Sequence, residues 1–211
     1  MALDKFENLD AEVREKSVSA KRESDHQLIE ATKRGDEDAF AEIVNRYRNP
    51  LTNYIFRMLN DYEEAVDLTQ ETFVRVYFAI ERYHTEYAFS TYIYRIATNL
   101  AISEIRKKRR RKLLSLTSFF QSEEGGAQEF HPPDTKSLPD EDLVEDERSR
   151  TIRKAIAALP DKYRAPIILR EIQELSYEEI AQILGLGLGT TKSRISRARA
   201  LLRDKLSHYF N

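Results

Sequence analysis

The amino-acid sequence predicts an all-α protein: two small helical domains joined by an acidic flexible linker, the second ending in a helix-turn-helix. Three observations lead there. Apolar residues recur at three- and four-residue intervals over 25–112 and again over 148–206, the spacing of one helix face. Between them the period vanishes, and Gly125-Gly126, Pro132-Pro133 and Pro139 stand among many acids. Last, residues 176–199 read as a short apolar-periodic segment, the turn Gly185-Leu-Gly-Leu-Gly, and a second segment with a basic outer face. That layout is a helix-turn-helix, which lays its second helix in the major groove of DNA.

Each element has its own justification. Residues 1–24 are a polar leader with little pattern. Domain 25–112 begins with Phe40, Ile43, Val44 and Tyr47 at helical spacing. After Pro50, Leu51, Tyr54, Ile55, Met58 and Leu59 repeat it as a further helix. Asn60-Asp61 breaks the chain and offers a cap. The next helix turns Val66, Thr69, Phe73, Val76, Tyr77 and Ile80 inward. Residues 83–90 read as a loop, and Thr91 to about Lys112 as a long helix with Ile93, Ile96, Ala97 and Leu100 inward. Four helices with short connections make a compact domain. The linker is 113–147. Its aperiodic core from Thr117 to Glu147, at ~3.3–3.6 Å per residue, reaches ~100 Å when extended.

Domain 148–211 carries Ile152, Ala155, Ile156 and Leu159 up to Pro160, then Tyr163, Pro166, Ile167 and Arg170. Tyr177, Ile180, Ala181 and Leu184 follow, and after the turn Ile195, Ala198 and Leu202. A unit this small is marginally stable alone.

Composition narrows the function classes. No run of 18 apolar residues exists, and Met1 to Asp10 lacks a signal-peptide core, so a cytoplasmic protein without membrane insertion is expected. The chain has no cysteine, and its four histidines are scattered, so no metal and no cofactor is expected. The net charge of −2 hides strong segregation. Arg106 to Lys112 are seven consecutive cations, and Gly185 to Asn211 holds six cations against Asp204. Leu113 to Arg150 holds ten acids against Lys136, Arg148 and Arg150. One basic run is ordinarily solvated surface; two, each on a patterned helix, suggest two polyanion-facing surfaces.

Three surfaces carry the chemistry. With Ile195, Ala198 and Leu202 inward, Lys192, Ser193, Ser196 and Arg197 turn outward near the start of the last helix, where Gly189-Thr190 offers backbone N–H groups to a phosphate. Arg or Lys there suits guanine O6 and N7, while Arg194, Arg199 and Arg203 lie to the side and suit phosphates. The bland alternative is a basic helix docking on an acidic protein. On the long helix, Tyr92, Arg95, Asn99, Ser103 and Arg106 form a stripe opposite the apolar one, with Tyr83, Tyr87 and Phe89 just before it. Aromatic, amide and cations at this spacing suit a single nucleic-acid strand, yet periodicity alone does not separate that from a solvated face. Asp67, Gln70 and Glu71 make an acidic face, unsuited to DNA, which meets either a basic partner or water.

Together these segments resemble a bacterial RNA polymerase sigma factor of the extracytoplasmic-function (ECF) type. The resemblance rests on Asp36-Glu-Asp-Ala-Phe-Ala-Glu-Ile-Val, on Asp67-Leu-Thr-Gln-Glu-Thr-Phe-Val-Arg-Val-Tyr, on Phe89-Ser-Thr-Tyr-Ile-Tyr-Arg-Ile-Ala-Thr-Asn-Leu-Ala, and on the stretch from Ala158-Leu-Pro to Arg199. It implies that 25–112 is sigma domain 2 and 148–211 sigma domain 4. Asp67, Gln70, Glu71 and Phe73 would bind the clamp of the polymerase's largest subunit, and the second domain the flap of the second subunit. Phe89, Tyr92, Arg95, Asn99 and Arg106 would serve the −10 element. Thr190, Lys192, Ser193, Arg194, Ser196, Arg197 and Arg199 would serve the −35 element. The acidic linker would thread near the active-centre cleft, and an anti-sigma factor is an expected partner.

This chain departs from the family pattern at Tyr92 (usually Trp), Thr191 (usually Val) and Gly187 (often Pro), which implies a looser turn before the last helix. A helix-turn-helix regulator that never joins polymerase is the alternative, against which residues 67–112 speak. An enzyme acting on DNA would need a carboxylate or nucleophile constellation that the pattern does not supply.

Overall fold

The computed structural model describes residues 24–83, 87–121 and 147–207. Residues 24–33 form α1. They are followed by α2 (Glu37–Leu59), α3 (Tyr62–Ala79), a single 3-10 turn (Ile80–Arg82), α4 (Phe89–Gln121), α5 (Glu147–Ala157), α6 (Asp161–Glu171), α7 (Tyr177–Leu184) and α8 (Leu188–Ser207). Among the described residues there is no strand. The expected polar leader up to residue 23, the tip of the 83–90 loop at 84–86, and the linker from 122 to 146 lie outside the described residues.

Local chemistry explains the boundaries. Asp36 caps α2 by accepting from the Ala39 N–H at 3.1 Å, and Asp61 caps α3 by accepting from the Glu64 N–H at 3.2 Å. Asn60 closes α2 in the left-handed region (φ 55°), a conformation its short amide tolerates. Asn60-Asp61 is therefore both stop and start. The expected break at Pro50 does not occur: α2 runs through it as one helix. Ile43, Tyr47, Leu51, Tyr54, Ile55 and Met58 share one buried face across the proline, and that shared burial outweighs the lost hydrogen bond. α4 likewise continues to Gln121, so the first nine residues of the expected linker, 113–121, are helical.

Around α2 pack α3 and α4, while α6 packs on α8 and α7. The Tyr54 ring lies edge-on to Tyr94 at 5.4 Å, and its hydroxyl bonds the Thr98 hydroxyl at 2.8 Å. Tyr47 donates to Asp25 at 2.5 Å, and Arg46 reaches the same carboxylate at 3.2 Å. Burial first, then Asp25, push the Tyr47 phenol far above its ordinary range, so it remains a donor. Two inward assignments differ from expectation. Tyr77 is 47% exposed, lying edge-on to Phe40 at 5.0 Å, and Ile152 is 39% exposed.

The two halves are not separate bodies. α5 and α6 pack on α2, α7 packs on α4, and buried residues from Ile29 to Ala198 form one continuous apolar cluster. Arg164 donates from Nη1 to the Met58 carbonyl at 2.8 Å, Tyr94 bonds Gln173, and the Arg153 guanidinium sits 5.3 Å from the centre of the Phe56 ring. A unit of marginal size gains core by this contact.

Asp25 is the polar anchor that ties α1 to α2. Asp25→Ala is expected to lower unfolding free energy by ~1–3 kcal/mol, because a buried phenol and a half-buried guanidinium each lose one acceptor. The shift in the urea midpoint measures it; an unmoved midpoint would remove the anchor.

Candidate nucleic-acid and partner interfaces

The C-terminal surface is built by a well-capped pair. Ser176 accepts from the Glu179 N–H at 3.1 Å while Glu179 accepts from the Ser176 N–H at 3.0 Å, a complete capping box for α7. Gly185 ends α7 at φ 63°, where a side chain is strained. The turn is less loose than expected. The Leu186 N–H donates to Ala181 O at 2.9 Å. Gly187 O accepts both the Thr191 N–H at 3.0 Å and the Thr191 hydroxyl at 3.2 Å. Thr191 is fully buried, so it fills the space of a valine and satisfies its extra hydroxyl internally.

Along α8, Thr190, Lys192, Ser193, Ser196 and Arg197 face outward, and Arg194 is half-buried. Lys192 leans toward the Tyr177 ring (5.7 Å), which Arg170 also covers (4.8 Å). Arg199 differs from expectation: Nη2 and Nε bond the Glu171 carboxylate at 2.7 and 3.0 Å. A phosphate would have to displace that pair.

On α4, Arg95, Asn99, Ser103 and Arg106 form an exposed stripe. Tyr92 is half-buried, tilted against Tyr83 at 5.1 Å and Phe89 at 6.3 Å. Phe89, a candidate contact by sequence, is 2% exposed and wedged edge-on between Tyr47 and Tyr83, so its ring is core. Two members of the cationic run are engaged: Lys107 with Glu104 at 3.2 Å, and Lys108 with Asp61 at 2.8 Å and Glu64 at 3.5 Å. Arg106, Arg109, Arg110 and Arg111 project to solvent.

On α3, Asp67 and Gln70 are exposed and Glu71 is paired with Arg75 at 2.5 Å. Phe73 needs correction as a contact, being 7% exposed and part of the core. Beside the acids lie apolar side chains that sequence reasoning passed over: Val74 at 52% and Phe78 at 81% exposure. The missed signal was arithmetic, since positions 74 and 78 stand seven and eleven residues beyond Asp67 and share its outward face.

Comparison with known proteins decides the family. Residues 43–111 match the model of Sigma-70 region 2, and residues 149–202 that of Sigma-70, region 4. The ECF RNA polymerase sigma factor SigW of Bacillus subtilis is 41% identical over 186 residues, spanning 84% of this chain and 94% of that protein. The chain belongs to the ECF RNA polymerase sigma factors. The RNA polymerase sigma-H factor of Pseudomonas aeruginosa is 36% identical over 88% of this chain and 95% of its own length. Among solved structures, the sigma factor RpoE in complex with the anti-sigma factor NepR from Bartonella quintana superposes with a TM-score of 0.59 at 25% identity, over 80% of this chain and 96% of that one. CnrH in complex with the cytosolic domain of CnrY shares the fold, with a TM-score of 0.65 at 22% identity, over 88% and 98%.

As an ECF sigma factor, the protein binds core RNA polymerase and promoter DNA, directs transcription initiation and is not an enzyme. The regulator that never joins polymerase is thereby set aside. Among the described residues, no helix is long and apolar enough to cross a membrane.

The capping box makes α7 the support of α8 in this sigma factor. Ser176→Ala is expected to cost ~1 kcal/mol, and Ser176→Thr much less. Thermal unfolding of the three proteins checks it; equal midpoints would mean the cap contributes nothing.

Proposed function

We propose that three outward helix faces divide the work of this sigma factor. In this reading residues 25–112 act as sigma domain 2, with α4 carrying the −10 surface, and residues 148–211 act as sigma domain 4, with α8 carrying the −35 surface. The observation that carries it is the joint outward placement of Lys192, Ser193, Ser196 and Arg197 on α8 and of Arg95, Asn99 and Arg106 on α4. Side chains so arranged on α8 suit the edges of major-groove bases, with Thr190 and Arg194 nearer the phosphates. On α4, the open part of the Tyr92 ring offers a stacking surface for an unpaired base, Asn99 an amide for its edge, and the arginines hold the strand. Phe89 supports Tyr92 from beneath.

The α3 face of Asp67, Gln70, Glu71, Val74 and Phe78 meets the clamp of the largest subunit. An exposed phenylalanine on the same face as Asp67 and Gln70 has the character of an interface anchor, and Phe73 holds the helix beneath it. The second domain meets the flap of the second subunit, and the acidic linker between the two lies near the active-centre cleft. An anti-sigma factor fits as a further partner, since RpoE was solved in complex with the anti-sigma factor NepR. The protein works in the cytoplasm, where polymerase and promoters are.

Transcription from a promoter library by core enzyme plus this chain tests the assignment. Specific start sites that depend on the chain, each preceded by two shared elements, are expected. Arg197→Ala should cost ~1–3 kcal/mol at one base position of the upstream element; an equal loss for every sequence would make Arg197 a phosphate contact. Asp67→Ala combined with Gln70→Ala, and Phe78→Ala separately, should each weaken binding to core at least ten-fold, ~1.4 kcal/mol or more. Unchanged core affinity in a pull-down titration would remove the α3 face from this role.

A further inference from the structure

Lys192 is placed to read a base edge, yet a lysine by itself discriminates poorly. Its ammonium is a point charge on a flexible four-carbon stem, so it can reach several acceptors in turn. An arginine carries a planar fork that fixes its own geometry, whereas a lysine needs a restraint from outside. Discrimination by Lys192 therefore depends on what holds its head group.

The geometry points to Tyr177 as the residue that aims Lys192, a positioning residue that sets base specificity without reading a base itself. The inference rests on the assignment of α8 to the −35 element. Lys192 Nζ lies over the Tyr177 ring, 5.7 Å from its centre, where the negative face of the ring attracts a cation. The same ring carries the Arg170 guanidinium at 4.8 Å. Arg170 is tied down in turn, its Nη1 donating to the Leu175 carbonyl at 2.8 Å. Tyr177 and Arg170 thus form a fixed wall, and repulsion from the Arg170 charge keeps the ammonium from settling toward α6. Lys192 is exposed while Arg170 is half-buried, so the directions left to the ammonium face solvent.

Tyr177 has the rigidity that such a role needs. It is the first residue of α7, directly after the Ser176 cap. Its ring is half-buried and packs against the apolar core. A phenol has few side-chain torsions, so it is held at small entropic cost. Its two ends also have separable partners. The ring meets Lys192 and Arg170, while the hydroxyl acts on Arg199, whose pKa is raised chiefly by its bond to Glu171 and least by Tyr177. Phenylalanine would keep the ring contacts and lose the contact of the hydroxyl. The gain from the ring is preorganisation: an ammonium already aimed gives up less freedom when it meets guanine O6 or N7.

Holoenzyme made from core polymerase and the full chain is offered fluorescent promoter duplexes that differ by one base at each position of the upstream element. Lys192→Ala should relax one position. Tyr177→Leu, which keeps an apolar side chain but removes the ring face, should lower discrimination at that position about three-fold. Other upstream positions and the downstream element should be unchanged, and Tyr177→Phe should retain the discrimination. With Lys192→Ala already present, Tyr177→Leu should change that position no further. In the free wild-type chain, the ring current should shift the Lys192 ε-methylene protons upfield; unshifted protons would overturn the contact without any variant. An equal loss at every position in Tyr177→Leu would make Tyr177 a packing residue and overturn the inference. Should Lys192→Ala relax one position while Tyr177→Leu leaves it sharp, the −35 reading stands and the inference alone fails. Should Lys192→Ala weaken all sequences equally, base reading by Lys192 falls, and the inference with it.

Discussion

Pro50 takes a hydrogen bond from the middle of α2 and crowds the preceding turn, a cost of ~3 kcal/mol or more, yet the helix runs unbroken from Glu37 to Leu59. The reason is that one face of α2 supports everything else. Ile43, Leu51, Tyr54, Ile55 and Met58 are fully buried on it. Each such side chain contributes ~1.5–3 kcal/mol by leaving water, so together they exceed the proline's cost several-fold. Two shorter helices meeting at Pro50 would point these side chains in two directions. They would no longer present a continuous stripe to α3 and α4.

That stripe also explains why the two halves meet. Beyond the apolar row, the last turn of α2 ends in carbonyls that no intrahelical N–H satisfies. Arg164 supplies a donor to one of them, and Phe56 on the same turn lies beneath Arg153. The face of α4 proposed to read DNA escapes burial because the helix turns Tyr94 and its inner side toward the other half. Arg95 and Asn99 lie one and five residues further on, on the opposite side. A helix with one buried side and one cationic side can be docked and still keep its charge in water.

Much of this was legible in the sequence, for reasons that also mark its limit. Period-3.6 spacing located α3, α6, α7 and α8, and Asn60-Asp61 located the turn before α3, because these signals are local. Outward placement of Arg95, Asn99, Lys192 and Arg197 followed from knowing which neighbours were apolar. Phe73, placed inward by its spacing, and Phe89 were given contact roles by the resemblance, because a family motif marks a residue as important without saying whether its ring touches a partner or holds the helix that does. Phe78 escaped notice because it is apolar on a polar face, where periodicity gives it no role. The docking was illegible altogether. Arg164 and Gln173 act through a backbone carbonyl and a tyrosine hydroxyl far away in sequence, and no spacing rule connects position 164 to Met58.

The acids beside the basic rows carry a further consequence. Lys107, Lys108 and Arg199 are each held by carboxylates, whereas Arg197 and Arg109 to Arg111 project to solvent. Surface pairs of this kind contribute only ~0–1 kcal/mol to stability, so their weight falls on binding. Every cation tied to an acid is one fewer phosphate neutralised and one fewer counterion released, which lowers affinity for all DNA alike. The base-edge contacts proposed for Lys192 and Arg197 are untouched by that loss. The pairing therefore lowers the non-specific background and leaves sequence discrimination intact. A chain of net charge −2 thereby gives up indiscriminate grip on DNA, and promoters compete against the genome mainly through the bases they present.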